Sequence, residues 1–154
     1  MLEIYIDADG CPVKEEVYRV AQRYALMVYV VSNGFMRVPR DDRIRQIVVG
    51  KGFDEADDWI AEHIQPGDVA VTADIELAAR CLDRGARVLG PKGRMFTEDS
   101  IGDALATRAL MDQIRQTGEI TGGPAPMGRK DRSRFLSRLD EIVNAIRREA
   151  DPER

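Results

Sequence analysis

The sequence lacks several features that define common classes of protein. It has two cysteines (Cys11 and Cys81), one histidine and only 6% aromatic residues among 154. Two cysteines cannot build a disulfide framework, and they are typical of reduced, buried thiols in a cytoplasmic protein. The single histidine, His63, lies in a helical pattern among acidic residues, which makes it a weak partner for a cysteine nucleophile. With so few aromatic residues, no platform for stacking single-stranded bases is expected.

Long apolar runs are also missing. No stretch approaches the ~20 apolar residues needed to span a bilayer, and the start of the chain lacks the basic region and long apolar run of a signal peptide. We therefore expect a cytoplasmic protein without a membrane partner. The length of 154 residues suits one domain, and a hydrophobic content of 44% can fill its core.

The chain carries no positive net charge either. Its formal charge of -4 at pH 7 argues against a simple basic coat for nucleic acid. The charge is uneven, however, because basic residues outnumber the one acid, Asp131, between positions 127 and 138. That local surplus could bind phosphates, and we predict Lys130 and Arg132 as substrate-binding residues. Asn33 and Arg37 follow the second predicted strand and are further candidates for contact with a phosphate or a base, the alternative being a turn residue and a solvated arginine.

Apolar runs alternate with helical patterns along the first ninety residues. Strand-like runs occupy residues 2–6, 27–31, 47–49, 69–72 and 86–89. Helical patterns lie between them at residues 14–24, 55–64 and 75–84. This alternation predicts an α/β fold, with a mostly parallel central sheet and helices on both faces.

The C-terminal third of the chain predicts two more helices. Thr97, Asp99 or Ser100 could cap a helix that runs to about Gln116. A Gly/Pro-rich connection at residues 117–128 then leads to an amphipathic, basic helix at about 132–148. This last helix either belongs to the same domain or serves as an arm for a second subunit of a homo-oligomer.

Acidic residues recur just after the predicted strands or at the start of the following helices. Asp7 and Asp9 follow the first strand, a run of acids at 54–58 opens the helix after the third, and Asp74 and Glu76 follow the fourth. In a parallel sheet, these positions meet at one edge. Acids in the first turn of a helix can simply complement its dipole. That role accounts for four of them: Asp54, Glu55, Asp58 and Glu76.

Asp7, Asp9 and Asp74 are explained less well by helix dipoles, and together they favour a cation site. Mg²⁺ and Mn²⁺ prefer carboxylate oxygens and usually keep several waters. Such a site can activate a water and stabilise the charge that develops on a phosphodiester. The residues therefore predict a Mg²⁺ or Mn²⁺ site in a phosphodiesterase.

A phosphatase is the alternative enzyme. The Asp7-Ala8-Asp9-Gly10 segment is similar to the opening motif of haloacid-dehalogenase-type phosphatases, in which the first Asp is a nucleophile and the second a general acid. The remaining motifs would then be Ser32-Asn33, Lys51, and Asp68 with Asp74. Asp68 precedes its strand, however, and is expected at the wrong end of the sheet. The metal-site interpretation needs only Asp74, at the right end.

Several segments of the chain resemble the YaiI/YqxD family of bacterial proteins. They are DADGCP at 7–12, RVP at 37–39, GFDEADD at 52–58, PGD at 66–68, TADIELA at 72–78 and TGGP at 121–124. The fold of this family is regarded as PIN-like, and PIN domains are Mg²⁺- or Mn²⁺-dependent nucleases, most often ribonucleases. The resemblance thus implies one PIN-like domain over residues 1–154, with RNA or another nucleic acid as its partner.

The resemblance also implies roles for individual acids. Asp7 matches the first-strand acid of PIN nucleases, Asp74 the acid after their fourth strand, and Asp57 resembles their mid-chain helical acid. These three are the implied catalytic residues, and all three with Asp9 are the implied metal ligands. The turn after the fifth strand, Gly-Pro-Lys-Gly at 90–93, supplies no further acid. A catalytically inactive module that binds metal or nucleic acid is therefore an alternative.

Overall fold

The computed structural model describes residues 1–52, 54–103, 105–107 and 127–150. The predicted helix end near Gln116, most of the Gly/Pro-rich connection and the family motif at 121–124 lie outside these residues. Where the chain is described, it forms one α/β domain whose elements alternate as the sequence predicts.

Six strands and five helices are present in the described residues. The strands are β1 (Glu3–Asp7), β2 (Met27–Ser32), β3 (Ile44–Val48), β4 (Val69–Val71), β5 (Arg87–Leu89) and β6 (Met95–Phe96). The helices are α1 (Lys14–Tyr24), α2 (Glu55–His63), α3 (Ile75–Asp83), α4 (residues 98–103 and 105–107) and α5 (Arg129–Ala150). The N-terminus of α4 is capped reciprocally by Thr97 and Ser100, whose side chains each bond the other's backbone N–H at 3.1 and 2.7 Å. The prediction of a helix beginning there is confirmed.

The sheet has the order β3-β2-β1-β4-β5-β6. All neighbouring strands are parallel except β5 and β6, which form an antiparallel pair. Strands β2 and β3 lie on one side of β1, and β4, β5 and β6 lie on its other side, so the strand order reverses between β1 and β4. A crevice for ligands opens at such a reversal, beyond the carboxyl ends of the two strands. Asp7, the last residue of β1, lies at this reversal.

Two apolar cores cover the two faces of the sheet. Successive residues of β1 point to opposite faces, so that Ile4 and Ile6 join one core and Tyr5 the other. The first core includes α1 and α5, and the second includes α2 and α3. Each Å² of apolar surface that is removed from water contributes about 25 cal/mol to the free energy of folding. The packing on both faces of the sheet therefore stabilises the domain.

The C-terminal helix is part of the domain. Its apolar stripe is buried in the first core at a helical spacing: Phe135, Leu139, Ile142, Val143 and Ile146. Polar contacts join it to the end of α1, where the Tyr24 hydroxyl donates to Asp140 at 2.7 Å and Asn144 donates to Tyr24 at 3.0 Å. Of the two sequence-based alternatives for this helix, packing within its own domain is the one observed. Neither α5 nor any other helix of the described chain has the length and apolar character needed to cross a membrane.

Candidate active site

The residues that follow the first four strands surround one cleft at the edge of the sheet. Its volume is about 410 Å³. All four carboxylates predicted to bind metal line it: Asp7, Asp9, Asp57 and Asp74. Asn33 and Lys51, from the segments after β2 and β3, also line it. Acids that follow separate strands are expected to converge at this edge, and Asp7, Asp9, Asp57 and Asp74 do so.

Thr72 links two of these acids. Its hydroxyl donates a hydrogen bond to Asp7 Oδ2 at 2.8 Å and accepts one from the backbone N–H of Asp74 at 3.0 Å. Thr72 is buried, so these bonds are protected from water. The threonine thus sets the position of Asp74 relative to Asp7. Sequence reasoning assigns Thr72 no role in the metal site, and its one signal is a hydroxyl residue two positions before an acid at a strand end.

Asp74 also begins α3. Its Oδ1 accepts hydrogen bonds from the backbone N–H groups of Glu76 and Leu77 at 2.9 and 3.1 Å. An aspartate at this position satisfies N–H groups that have no partner within the helix. One carboxylate oxygen is thereby occupied and the orientation of the side chain is fixed.

Asp9 is held by the loop after β2. Its Oδ2 accepts a hydrogen bond from the backbone N–H of Asn33 at 2.8 Å. The predicted substrate-binding residue Asn33 is therefore at the cleft, but its backbone is already engaged. The side chain of Asn33 is exposed, so it is the part of this residue that is able to contact a ligand.

Burial and the charges of neighbouring carboxylates raise the pKa values of Asp57 and Asp7. For Asp57 the pKa rises to about 7, because of burial first, then of the charges of Asp74 and Asp7 and a side-chain hydrogen bond with Asp74, with Asp54 adding to the effect. Burial also raises the pKa of Asp7, against the lowering effect of the Thr72 hydrogen bond, and Asp74 and Asp9 raise it further. Carboxylates that disfavour each other's ionisation in this way are the kind of group that a divalent cation compensates.

The donor set fits a hard cation that keeps much of its water. Within residues 1–52, 54–103, 105–107 and 127–150, no three acidic, His or Cys side chains are grouped so that they could hold one ion together. Mg²⁺ is commonly bound through only one or two carboxylates, with waters completing its octahedron. Asp7 and Asp74, joined through Thr72, meet that smaller requirement. The chemistry of the cleft is therefore compatible with a Mg²⁺ or Mn²⁺ ion that keeps several waters.

The three basic residues predicted to bind substrate do not line this cleft. Arg37 and Lys130 are exposed. The guanidinium of Arg132 donates to the carbonyl of Pro12 and lies 3.5 Å from Glu16, so it fastens the start of α5 to the start of α1. The sequence alone could not distinguish this anchoring role from a role in phosphate binding.

Asp68 lies at the opposite end of the sheet, as the sequence predicts. It is only 5% exposed, and its two oxygens accept backbone hydrogen bonds from Glu3 and Gln65, each at 2.9 Å. Asp68 therefore ties the start of β1 to the turn before β4. Asp68 is therefore unable to join a haloacid-dehalogenase-type site, although Asp7, Asp74 and Lys51 line the cleft.

Phe35 is an exposed aromatic residue that the sequence did not single out. Its side chain is 86% exposed, in the loop that also carries Asn33 and Arg37. The next residue is held in place, because Gln46 accepts from the backbone N–H of Met36 at 2.9 Å and donates to its carbonyl. From sequence, a loop phenylalanine is as easily buried as exposed, so only the structure reveals it.

Comparison with known proteins places the chain among bacterial proteins of unassigned function. The model of the family described as "Uncharacterized BCR, YaiI/YqxD family" matches residues 5–145. A UPF0178 protein of Azorhizobium caulinodans is 56% identical over 147 residues, which cover 96% of this chain and 92% of the relative. Another, of Rhodopseudomonas palustris, is 55% identical over 153 residues, covering 99% and 97%. No solved structure matches the chain significantly.

Proposed function

The chain belongs to the YaiI/YqxD family, and from the chemistry of its own cleft we propose that it is a Mg²⁺- or Mn²⁺-dependent nuclease that hydrolyses RNA or another phosphodiester. The observation that carries the proposal is the pairing of Asp7 and Asp74 through Thr72 at the point where the strand order reverses. The resemblance to PIN nucleases supports the same assignment of these two acids.

In this proposal Asp7 and Asp74 hold the cation. When bound, the cation supplies a Lewis acid that stabilises charge on the phosphate and lowers the pKa of a water. Asp9, which lines the same cleft, would help to hold the ion. Asp57 also lines the cleft and would orient the attacking water.

Positive charge for the substrate would come from Lys51 inside the cleft. Arg37 and Lys130 remain predicted contacts for the outer part of a longer nucleic acid, and Arg132 is a weaker candidate because of its contact with Pro12. Cys11 and Cys81 are both free and buried, which supports the proposal of a reducing, cytoplasmic compartment.

The test is cleavage of end-labelled single-stranded RNA in the presence of Mn²⁺. We expect Asp7→Asn and Asp74→Asn to lower the rate by about 100-fold or more, the usual effect of removing a group that stabilises the transition state. Asp42→Asn is the matched control, because Asp42 is exposed and does not line the cleft. Absence of cleavage by the wild type, or equal cleavage by all variants, would contradict the proposal.

A second candidate function is a module that binds metal or nucleic acid without turnover. It is favoured by the turn after β5, which carries Lys92 and Arg94 and no acid. Calorimetry showing that Mn²⁺ or RNA binds, together with no cleavage under any metal, would support this alternative. The phosphatase alternative predicts a different result, namely an acid-labile phosphoryl group on Asp7 and release of phosphate from small monoesters.

A further inference from the structure

A second cavity lies beside the acidic cleft and has a different character. Its volume is about 370 Å³, within the size range of small-molecule sites. Its larger side chains are four apolar and two cationic residues: Pro12, Pro91, Phe96, Met127, Lys92 and Arg94. An apolar hollow with positive charge beside it suits a flat, apolar ring that carries an anionic group.

A third cavity lies between these two and shares lining residues with each of them. Its volume is about 330 Å³, and it shares Asp7, Asp9 and Asp74 with the acidic cleft. It shares Gly10, Ala73 and Pro91 with the apolar cavity. A ligand that extends across the three cavities would therefore meet carboxylates first and an apolar, cationic pocket next. Among the common biological molecules, a nucleotide unit of a nucleic acid combines a phosphate with a flat ring, which matches this pair of neighbouring environments.

The outer wall of the pocket is held in place by the C-terminal helix. Backbone bonds close the turn between β5 and β6, from Gly90 N to Arg94 O at 2.9 Å and from Gly93 N to Gly90 O at 3.0 Å. At Gly93 the φ angle is +87°, and a Cβ atom there would lie 3.0 Å from backbone atoms of Arg134 and Phe135. The turn thus packs directly on the backbone of α5. The pocket wall is consequently built before any ligand binds.

We propose that this pocket binds the base of the nucleotide next to the scissile phosphate, with Arg94 and Lys92 facing that nucleotide's own phosphate. The proposal rests on the proposed function, because it takes the acidic cleft as the place where the scissile phosphate binds. Among the described residues that line the pocket, the side chains other than the two cations are apolar, and the rest of the lining is glycine. These apolar side chains provide no hydrogen-bond partners that would distinguish one base from another. The pocket therefore selects for the presence of a base and discriminates little among bases.

The test uses mononucleotides and protein freed of metal with EDTA, so that its outcome does not depend on catalysis. AMP, UMP and ribose 5-phosphate are titrated separately, and binding is followed by NMR through the methyl group of Met127. We expect AMP and UMP to bind with similar affinity, and at least about 5-fold more tightly than ribose 5-phosphate, since base stacking on aromatic and apolar side chains contributes to affinity. Equal binding of ribose 5-phosphate, or no perturbation of Met127, would overturn the proposal.

Two variants locate the site. Arg94→Ala should weaken nucleotide binding by about 3-fold to 10-fold, as expected for loss of one charge-assisted contact, whereas Arg45→Ala removes the same charge from β3 at the far edge of the sheet and should change nothing. Ala73→Leu narrows the junction of the pocket with the third cavity and should abolish binding while leaving the melting temperature near that of the wild type. If Arg94→Ala and Arg45→Ala bind equally well, the pocket is not the site.

Failure of this proposal and failure of the nuclease proposal give different results. If RNA is cleaved but Arg94→Ala and Ala73→Leu leave KM unchanged, the pocket assignment is wrong and the nuclease assignment stands. If the nucleotides bind as expected and no RNA is cleaved under any metal, the pocket stands and the nuclease assignment is wrong.

Discussion

The hydroxyl of Thr72 donates a hydrogen bond to Asp7 across two neighbouring strands, at 2.8 Å and over a separation of 65 residues in the sequence. The same oxygen accepts the backbone N–H of Asp74. One buried hydroxyl therefore positions both acids that we assign to the cation. Burial raises the pKa of the Asp7 carboxyl, and the hydrogen bond from Thr72 opposes this rise because it stabilises the ionised form.

Replacing Thr72 by Val should separate this positioning role from simple packing. The variant keeps the shape of the side chain but removes a donor and an acceptor, which should lower the free energy of unfolding by about 1–3 kcal/mol. Mn²⁺ affinity measured by calorimetry should fall as well, since the hydroxyl that positions Asp7 and Asp74 is lost. Thr72→Ser, which restores the hydroxyl, is the matched control and should recover most of the affinity. A Val variant that binds Mn²⁺ as tightly as the wild type would show that the hydroxyl has no such role.

The raised pKa of Asp57 predicts that the free energy of unfolding depends on pH. Its pKa is raised from 3.8 to about 7 in the folded chain, so the fold favours the protonated form. The resulting stabilisation is complete below about pH 4 and is lost as the pH rises through about 7. In EDTA, Asp57→Asn should therefore be more stable than the wild type at pH 8 and no more stable at pH 4.

The size of the gain at pH 8 is limited by exposure. After discounting for solvent screening, we expect about 1 kcal/mol, or a melting temperature higher by about 2–4 °C. Thermal melts followed by circular dichroism at the two pH values measure it, with Asp42→Asn as the control of equal charge change. An equal shift for Asp57→Asn at pH 4 and pH 8 would contradict the assigned pKa.

Gly93→Ala tests how closely the β5–β6 turn packs on α5. The added Cβ would meet the helix backbone, and φ is +87° at this position, so we expect a loss of about 1–3 kcal/mol in denaturant unfolding. Gly102→Ala is the matched control. Gly102 lies in α4 with no heavy atom within 4 Å of the added Cβ, and alanine there should be neutral or stabilising by about 0.5–1 kcal/mol. If both variants behave alike, the turn does not depend on this contact.

Phe135→Ala tests whether α5 contributes to the core of its own domain. The side chain is fully buried in the core that α1 and α5 form on one face of the sheet, so its truncation should cost about 3–5 kcal/mol. The exposed neighbour Ser137 supplies the control, because Ser137→Ala should change the stability by less than about 0.5 kcal/mol. Urea unfolding monitored by Trp59 fluorescence reports both. A small effect of Phe135→Ala would mean that the helix packs elsewhere in solution.

The regular elements show which features a local pattern can predict. The helix at Lys14–Tyr24 was predicted with the bounds that it has, because its apolar period and flanking residues are local properties. The strand Ile44–Val48 was predicted to begin three residues too late. It lies at the edge of the sheet, where Arg45 can be exposed, so no continuous apolar run marks it. The two-residue strand Met95–Phe96 is too short to show any period and was missed.

By itself, the sequence determined the order of the elements and placed Asp7 and Asp74 at one edge of the sheet, because strand direction and alternation follow from residues close together in the chain. The tertiary structure alone decided that Thr72 joins these acids, that Arg132 anchors α5 on Pro12, and that an apolar pocket opens beside the acidic cleft. The first two features depend on contacts between residues 65 and 120 positions apart. Such contacts arise only when distant strands pair and helices pack on the sheet, and no local period records them.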